Sequence, residues 1–173
     1  MQVMRWSIST VFLSPGFINA HCHLELSHLK ERIPEKTGLV DFVFKIITER
    51  HFETAEILAA IETAENDMLQ NGIVAVGDIC NNSLTIAQKQ KERLRYHNFI
   101  EVSGFVPQFA QDRFDKAKAI EAEYKSQIIN HTSNITPHSP YSVSKELFEL
   151  INNDTPNKII SIHNQETLAE EEL

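Results

Sequence analysis

Apolar and polar positions along the 173 residues follow two rhythms. Short apolar runs are followed by longer stretches in which apolar side chains recur every three or four positions, the spacing that lines one face of a helix. The pattern predicts a strand over 11–20 and a helix over 39–50 with Val40, Phe44 and Ile47 on one face. A stronger helix follows from about 53, carries Ile57, Leu58, Ile61, Ala64, Met68 and Leu69, and stops at Asn71-Gly72. Ile73-Val74-Ala75-Val76-Gly77-Asp78 is nearly continuous in apolar character, as in a strand buried on both faces. Then come a helix over 84–94, a strand over 99–106, a helix over 111–129 with Ala117, Ile120, Ala122 and Tyr124, and a weak strand over 133–136. Ser144 caps a helix running through Ile151, a strand covers 158–162, and a further helix begins at 166. Residues 24–36 are expected to be a polar loop; in residues 1–10 only Met4, Trp6 and Ile8 alternate, enough for one short strand.

Five short apolar strands alternating with amphipathic helices predict a parallel α/β fold. An open doubly wound sheet and a (β/α) barrel both fit that alternation. No Gly-x-Gly-x-x-Gly follows the first strand and no P-loop occurs, so a dinucleotide or nucleotide-phosphate fold has no support. The barrel is favoured by where the polar chemistry falls: His21, His23, Asp78, His138 and His163 sit at or just past the C-terminal ends of different predicted strands, where barrel active sites are built.

Composition narrows the function classes. A formal charge of −8 without clustered Lys or Arg argues against nucleic acid as a partner. No apolar run approaches the ~20 residues of a membrane span, and the N-terminus lacks the layout of a signal peptide. Two cysteines, Cys22 and Cys80, form no disulfide framework and suggest a reduced, cytoplasmic setting.

The chemistry centres on Pro15-Gly16-Phe17-Ile18-Asn19-Ala20-His21-Cys22-His23-Leu24-Glu25-Leu26. On a strand, His21 and His23 share a face while Cys22 points the other way, so the two imidazoles are able to hold one metal ion. His-x-His by itself is equally met as two surface or core histidines. Glu166 alone reads as a helix N-terminal carboxylate favoured by the dipole. His138, between Pro137 and Pro140, suits a turn as well as a pocket, and Glu25, His28 and Asp78 either line a pocket or sit on loops. His51, His97 and His131 fall at the opposite ends of the elements and are read as structural.

Taken together, the motifs resemble the amidohydrolase superfamily, in its branch of chlorohydrolases and of guanine, cytosine and adenosyl-type deaminases. Residues 15–27 are similar to that branch's first-strand motif, Thr136-Pro137-His138-Ser139-Pro140-Tyr141-Ser142-Val143-Ser144 to its fourth-strand motif, and His163-Asn164-Gln165-Glu166 to its fifth-strand His-x-x-Glu. The resemblance implies the first five βα units of a TIM (β/α) barrel over 11–173, with 1–10 a remnant of an N-terminal β-sandwich. It implies His21, His23 and His163 as ligands to one divalent metal (zinc first, iron second), Glu166 as the catalytic acid/base, and His138 with Glu25 against the substrate. No lysine ends the fourth strand to bridge two metals, and no Pro-Cys-x-x-Cys occurs, which excludes the other zinc-deaminase fold. The implied activity is hydrolytic deamination of an aminopurine, nucleoside-type or related heterocycle, with the first and fourth motifs resembling the aminofutalosine and adenosylhomocysteine deaminase groups. Chlorohydrolysis, or a non-catalytic remnant or half of a split protein, is the alternative. The family's barrel takes about 250 residues, and its sixth-strand histidine and eighth-strand aspartate have no counterpart in this chain. The chain is therefore expected to be a fragment that self-associates to cover its open edge and has little or no activity on its own.

Overall fold

The computed structural model describes residues 13–34, 38–49, 52–154, 156–168 and 170. Strand β1 (Phe17–Cys22) leads into a 3-10 turn (Leu24–Leu29) and helices α1 (Leu39–Glu49) and α2 (Thr54–Gln70). Strand β2 (Ile73–Cys80), a short α3 (Ile86–Lys89), β3 (Arg95–Val102), a 3-10 turn (Pro107–Phe109), α4 (Ala110–Gln127), β4 (Thr132–Pro137) and α5 (Lys145–Asp154) follow. The strands form one parallel sheet in the order β1-β2-β3-β4, so each crossover returns the chain to the next position in line.

Local chemistry sets the joints. Gly72 adopts φ +77°, a left-handed conformation that glycine enters without a Cβ penalty. It ends α2 and accepts the Phe17 N–H at 2.9 Å, which starts the β1–β2 ladder. Farther along, β1 and β2 approach so closely that a Cβ on Gly77 would lie 2.4 Å from the Ala20 carbonyl oxygen. Only a glycine admits that approach, immediately before His21. The C-terminal half of β2, Val76 to Cys80, is buried throughout, as its apolar run predicts.

The core lies on the helix side of the sheet. Cys80, Ile100, Val102 and Ile135 pack against Ala117 and Tyr124 of α4 and Leu147 and Ile151 of α5. A second cluster joins Leu24, Ile61, Val76, Leu94 and Tyr96. Ala110, Ala117, Glu121 and Tyr124 are the buried positions of α4, at helical spacing; Glu121 is satisfied there by Lys118 and Lys125 at 2.8 and 2.6 Å.

Several boundaries differ from the sequence expectation. The strand predicted over 99–106 is instead Arg95–Val102, and the preceding helix shrinks to Ile86–Lys89. The polar stretch Arg95-Tyr96-His97-Asn98 extends as strand because its polar groups find partners inside: Asn98 accepts from Lys89 Nζ at 2.7 Å, and His97 bonds Asn134 at 2.6 Å. Residues 24–29 are not a polar loop but a turn that buries Leu24, Glu25, His28 and Leu29. Helix α1 forms as expected, yet Val40, Phe44 and Ile47 stay exposed.

The predicted fifth strand, 158–162, runs beside β4 without a backbone ladder. Asn134 Nδ2 donates to the Ile159 carbonyl at 3.0 Å, Thr136 Oγ1 donates to the Ser161 carbonyl and accepts the Ser161 N–H, and His163 N donates to the His138 carbonyl at 2.8 Å. Side chains of β4 thus take the bonds that a fifth strand's main chain would make. The proposed remnant 1–10, His51 and residues 169 and 171–173 of the predicted last helix lie outside the described residues.

Candidate metal centre

His21 stands at the C-terminal end of β1 and His23 one residue past it, where the β1–β2 register turns irregular between Asn19 and Cys22. His163 arrives from a segment 140 residues later, its Nε2 3.2 Å from Nε2 of His23. One ligating nitrogen from each of His21, His23 and His163 falls within 4.8 Å of the others. The three rings sit edge-on or stacked, with centroids 4.7 to 5.3 Å apart.

Hydrogen bonds orient two of these rings. His21 Nδ1 meets Ser161 Oγ at 3.2 Å, and His163 Nδ1 donates to Glu166 Oε1 at 2.6 Å. Among the described residues, His23 Nδ1 is buried with no hydrogen-bond partner. Burial pushes the pKa of His21 and His23 below the ordinary imidazole value, which keeps both rings neutral and able to offer a lone pair. His163 is opposite in sign: its hydrogen bond to Glu101 raises it most, burial opposes, and Glu166 adds to the rise, to about 9. Two ring nitrogens 3.2 Å apart accommodate one positive charge between them, which is the role of a metal ion in such a set. The donor set fits zinc or ferrous iron, since imidazole nitrogens suit both; His163 would give up a proton on binding the ion.

A second group, not anticipated from sequence, adjoins the first. Glu101, at the C-terminal end of β3, places a carboxylate oxygen 3.4 Å from His163 Nε2 and accepts from Asn81 Nδ2 at 3.2 Å. Glu101, His138 and His163 have ligating atoms within 4.8 Å of one another. Burial would raise the Glu101 carboxyl, but its bond to His163 and the nearby histidine charges hold it below the ordinary value. With the strand predicted four residues late, Glu101 fell in mid-strand; the correct frame puts it at the strand end, where barrel sites collect.

His138 lies beside this group, its ring centroid 5.1 Å from that of His163. Its Nδ1 is held by Ser142 Oγ at 2.6 Å and Ser139 Oγ at 3.0 Å, which leaves Nε2 directed elsewhere. An open cavity of about 650 Å³ adjoins His23 and Glu166, walled by Leu26, Leu29, Ile33, Leu39, Phe42 and Ile46. His97 and His131 stand apart, the latter accepting the Tyr96 N–H at 2.8 Å.

Glu25 departs from its expected place against a substrate. It is 4% exposed, and its Oε2 accepts the backbone N–H groups of Asn81 and Asn82 at 2.9 and 3.2 Å, clamping the loop after β2. Asp78, likewise, is a fully buried β2 residue and not a loop residue. Burial raises the Glu25 pKa to about 7. Between the unfolded value of about 4.5 and about 7, the folded chain holds a proton that the unfolded chain releases, so stability falls as pH rises through that window. The difference is worth about 3 kcal/mol. Glu25→Gln keeps an acceptor for both N–H groups but cannot ionise. Its stability relative to the parent chain should therefore rise by about that amount between pH 4 and pH 8 in urea titrations; an unchanged difference would refute the assignment.

Comparisons with known proteins bear on the family and the fold. The amidohydrolase family model matches residues 12–173. A 5-methylthioadenosine/S-adenosylhomocysteine deaminase of Clostridium tetani is 30% identical over 164 residues, 90% of this chain and 37% of that protein. The crystal structure of Helicobacter pylori aminofutalosine deaminase in complex with methylthio-coformycin superposes with a TM-score of 0.77 at 25% identity, over 91% of this chain and 39% of that one. A zinc-bound adenosine deaminase structure from Xanthomonas campestris gives 0.71 at 19% identity, over 90% and 37%. The chain spans about a third of the length of the curated relatives it matches, 32% and 37%. The four-stranded parallel sheet with its helices is the corresponding part of that barrel fold. With its family model matched from residue 12 to residue 173 and its histidines gathered at the strand ends, the chain belongs to the amidohydrolase family.

Proposed function

We propose that this chain serves the hydrolytic deamination of an aminopurine, nucleoside-type or related heterocycle, with one divalent ion (zinc, or iron in its place) held by His21, His23 and His163. The observation that carries the reading is the convergence of three imidazole nitrogens within 4.8 Å from segments at opposite ends of the described chain. The relatives that act on adenosine and on 5-methylthioadenosine or S-adenosylhomocysteine support the substrate class.

A zinc ion in such a site lowers the pKa of water toward ~7 and so supplies hydroxide at neutral pH. The protein's own groups do the rest. Glu166 orients the His163 ring by accepting its Nδ1 proton, which turns Nε2 toward His23 and Glu101. The same carboxylate, half-exposed beside the cavity, is placed to carry a proton to a ring nitrogen or a departing amine as general acid/base. His138, pinned at Nδ1 by Ser142, presents Nε2 to a bound ring, and the apolar walls of the cavity suit the faces of an uncharged heterocycle.

The test is elemental analysis of the chain purified without chelator or added metal, followed by assay of ammonia release from adenosine and 5-methylthioadenosine. About one zinc or iron per chain is the expected result, with ammonia release slow or absent from the chain alone and, where it is seen, abolished by chelation. A chain that takes up no divalent metal would overturn the reading.

A further inference from the structure

We propose that the buried ion pair of Asp78 and Lys89 is the positioning element that holds His23 in ligating geometry. Both side chains are completely buried, with Lys89 Nζ 2.5 Å from Asp78 Oδ2. The proposal rests on the metal reading above and concerns groups that touch no metal.

The observations converge on the chain around His23. Asp78 Oδ1 accepts the backbone N–H of Leu24 at 2.8 Å and the Cys22 thiol at 3.4 Å, so it grips the residues on both sides of His23. Its other oxygen takes the Lys89 ammonium, which also donates to Asn98 Oδ1 at 2.7 Å and Cys80 Sγ at 3.3 Å. One network therefore ties the end of β1 to β2, α3 and β3. Burial works hardest against the Lys89 charge, yet Asp78 and Cys80 together more than offset it and hold the ammonium above its ordinary pKa.

The β1–β2 ladder does not fix His23 itself. The register is irregular between Asn19 and Cys22, and His23 follows the last residue of β1. The ring offers no second anchor either. A ligating histidine ordinarily has its other ring nitrogen held by an acceptor. His21 has Ser161 and His163 has Glu166 in that role, whereas His23 Nδ1 is buried without a partner among the described residues. What the other two histidines obtain from a side-chain partner, His23 obtains from its backbone, through Leu24 N–H on Asp78. Asp78 and Lys89 are thus positioning residues.

The experiment measures zinc affinity of the full chain by competition with a chromophoric chelator, together with the visible spectrum of the cobalt-loaded protein. Asp78→Ala with Lys89→Met removes both charges and the acceptor. Asp78→Asn with Lys89→Met removes both charges but leaves an amide oxygen for Leu24 N–H. The alanine pair should bind zinc about tenfold or more weakly and shift the cobalt bands, as loss of a ligand's support does. The asparagine pair should stay within about threefold of the parent with its bands unmoved, a rescue that a merely stabilising role would not produce. Zinc bound at parental affinity by the alanine pair, or bound as weakly by the asparagine pair as by the alanine pair, would overturn the proposal. Absence of zinc from the parent chain would overturn it too, and would identify the metal reading as the step that failed.

Discussion

Changing His163 to alanine should abolish stoichiometric zinc binding, lowering affinity by more than the ~10–100-fold that loss of a ligand's supporting partner costs. The reason lies in how the site is assembled. His21 and His23 come from one strand end and present two nitrogens; the third arrives with His163, 140 positions away, against His23 Nε2. Two imidazoles leave a zinc site open on half its shell, whereas three leave one position for water. His163→Ala also removes the group between Glu101 and Glu166, so two carboxylates are left facing a space that a cation no longer occupies. His131→Ala is the matched control, because that ring serves the Tyr96 backbone and not the histidine group. Isothermal titration with zinc should show one site for the parent and for His131→Ala, and none in the micromolar range for His163→Ala. Undiminished binding by His163→Ala would remove the fifth segment from the metal centre and return His21 and His23 to the status of an isolated pair.

The second large effect is on stability. Lys89→Met should cost about 3–5 kcal/mol, because it strands Asp78 as an unpaired carboxylate in a site with no access to water. Asp78→Asn should cost a similar amount by stranding the ammonium among Asn98, Cys80 and the rings of Tyr96 and Tyr124. The two changes together should recover most of the loss, since methionine fills the lysine stem's volume and no charge remains to be solvated. At about 2–4 °C per kcal/mol, either single variant should melt roughly 10 °C or more below the parent and the pair close to it. Single variants that melt within a degree or two of the parent would mean that water reaches this site, and the buried pair would lose its assigned weight.

Much of this protein is legible along the chain. The 3.6-residue spacing of Ile57, Ile61, Ala64 and Met68 announces α2, and the unbroken run from Ile73 to Asp78 announces a buried strand, because burial on one or both faces leaves its period in the sequence. His-x-His, Pro-His-Ser-Pro and His-x-x-Glu stand at strand ends, and three such motifs in order are enough to identify the fold family. What the pattern hides is polar chemistry inside the fold. Arg95 to Asn98 does not look like strand and Lys89 does not look like core, because each is admitted only by partners distant in sequence: Asn134 for His97, Asp78 and Asn98 for Lys89. Glu101 was lost with the misplaced strand, and Glu25 looked like a pocket residue although it clamps the Asn81–Asn82 backbone.

Residue type and spacing along the chain are enough to set the alternation of strands and helices, the family, and the histidines available as ligands. It is the folded arrangement that hangs segment 158–162 on the side chains of Asn134 and Thr136, joins Glu101 to His138 and His163, and sets a buried Asp–Lys pair on the backbone around His23. Those outcomes depend on distances between groups far apart in the chain, and a hydrogen bond or ion pair in a dry interior is decided by tenths of an ångström that no periodicity records.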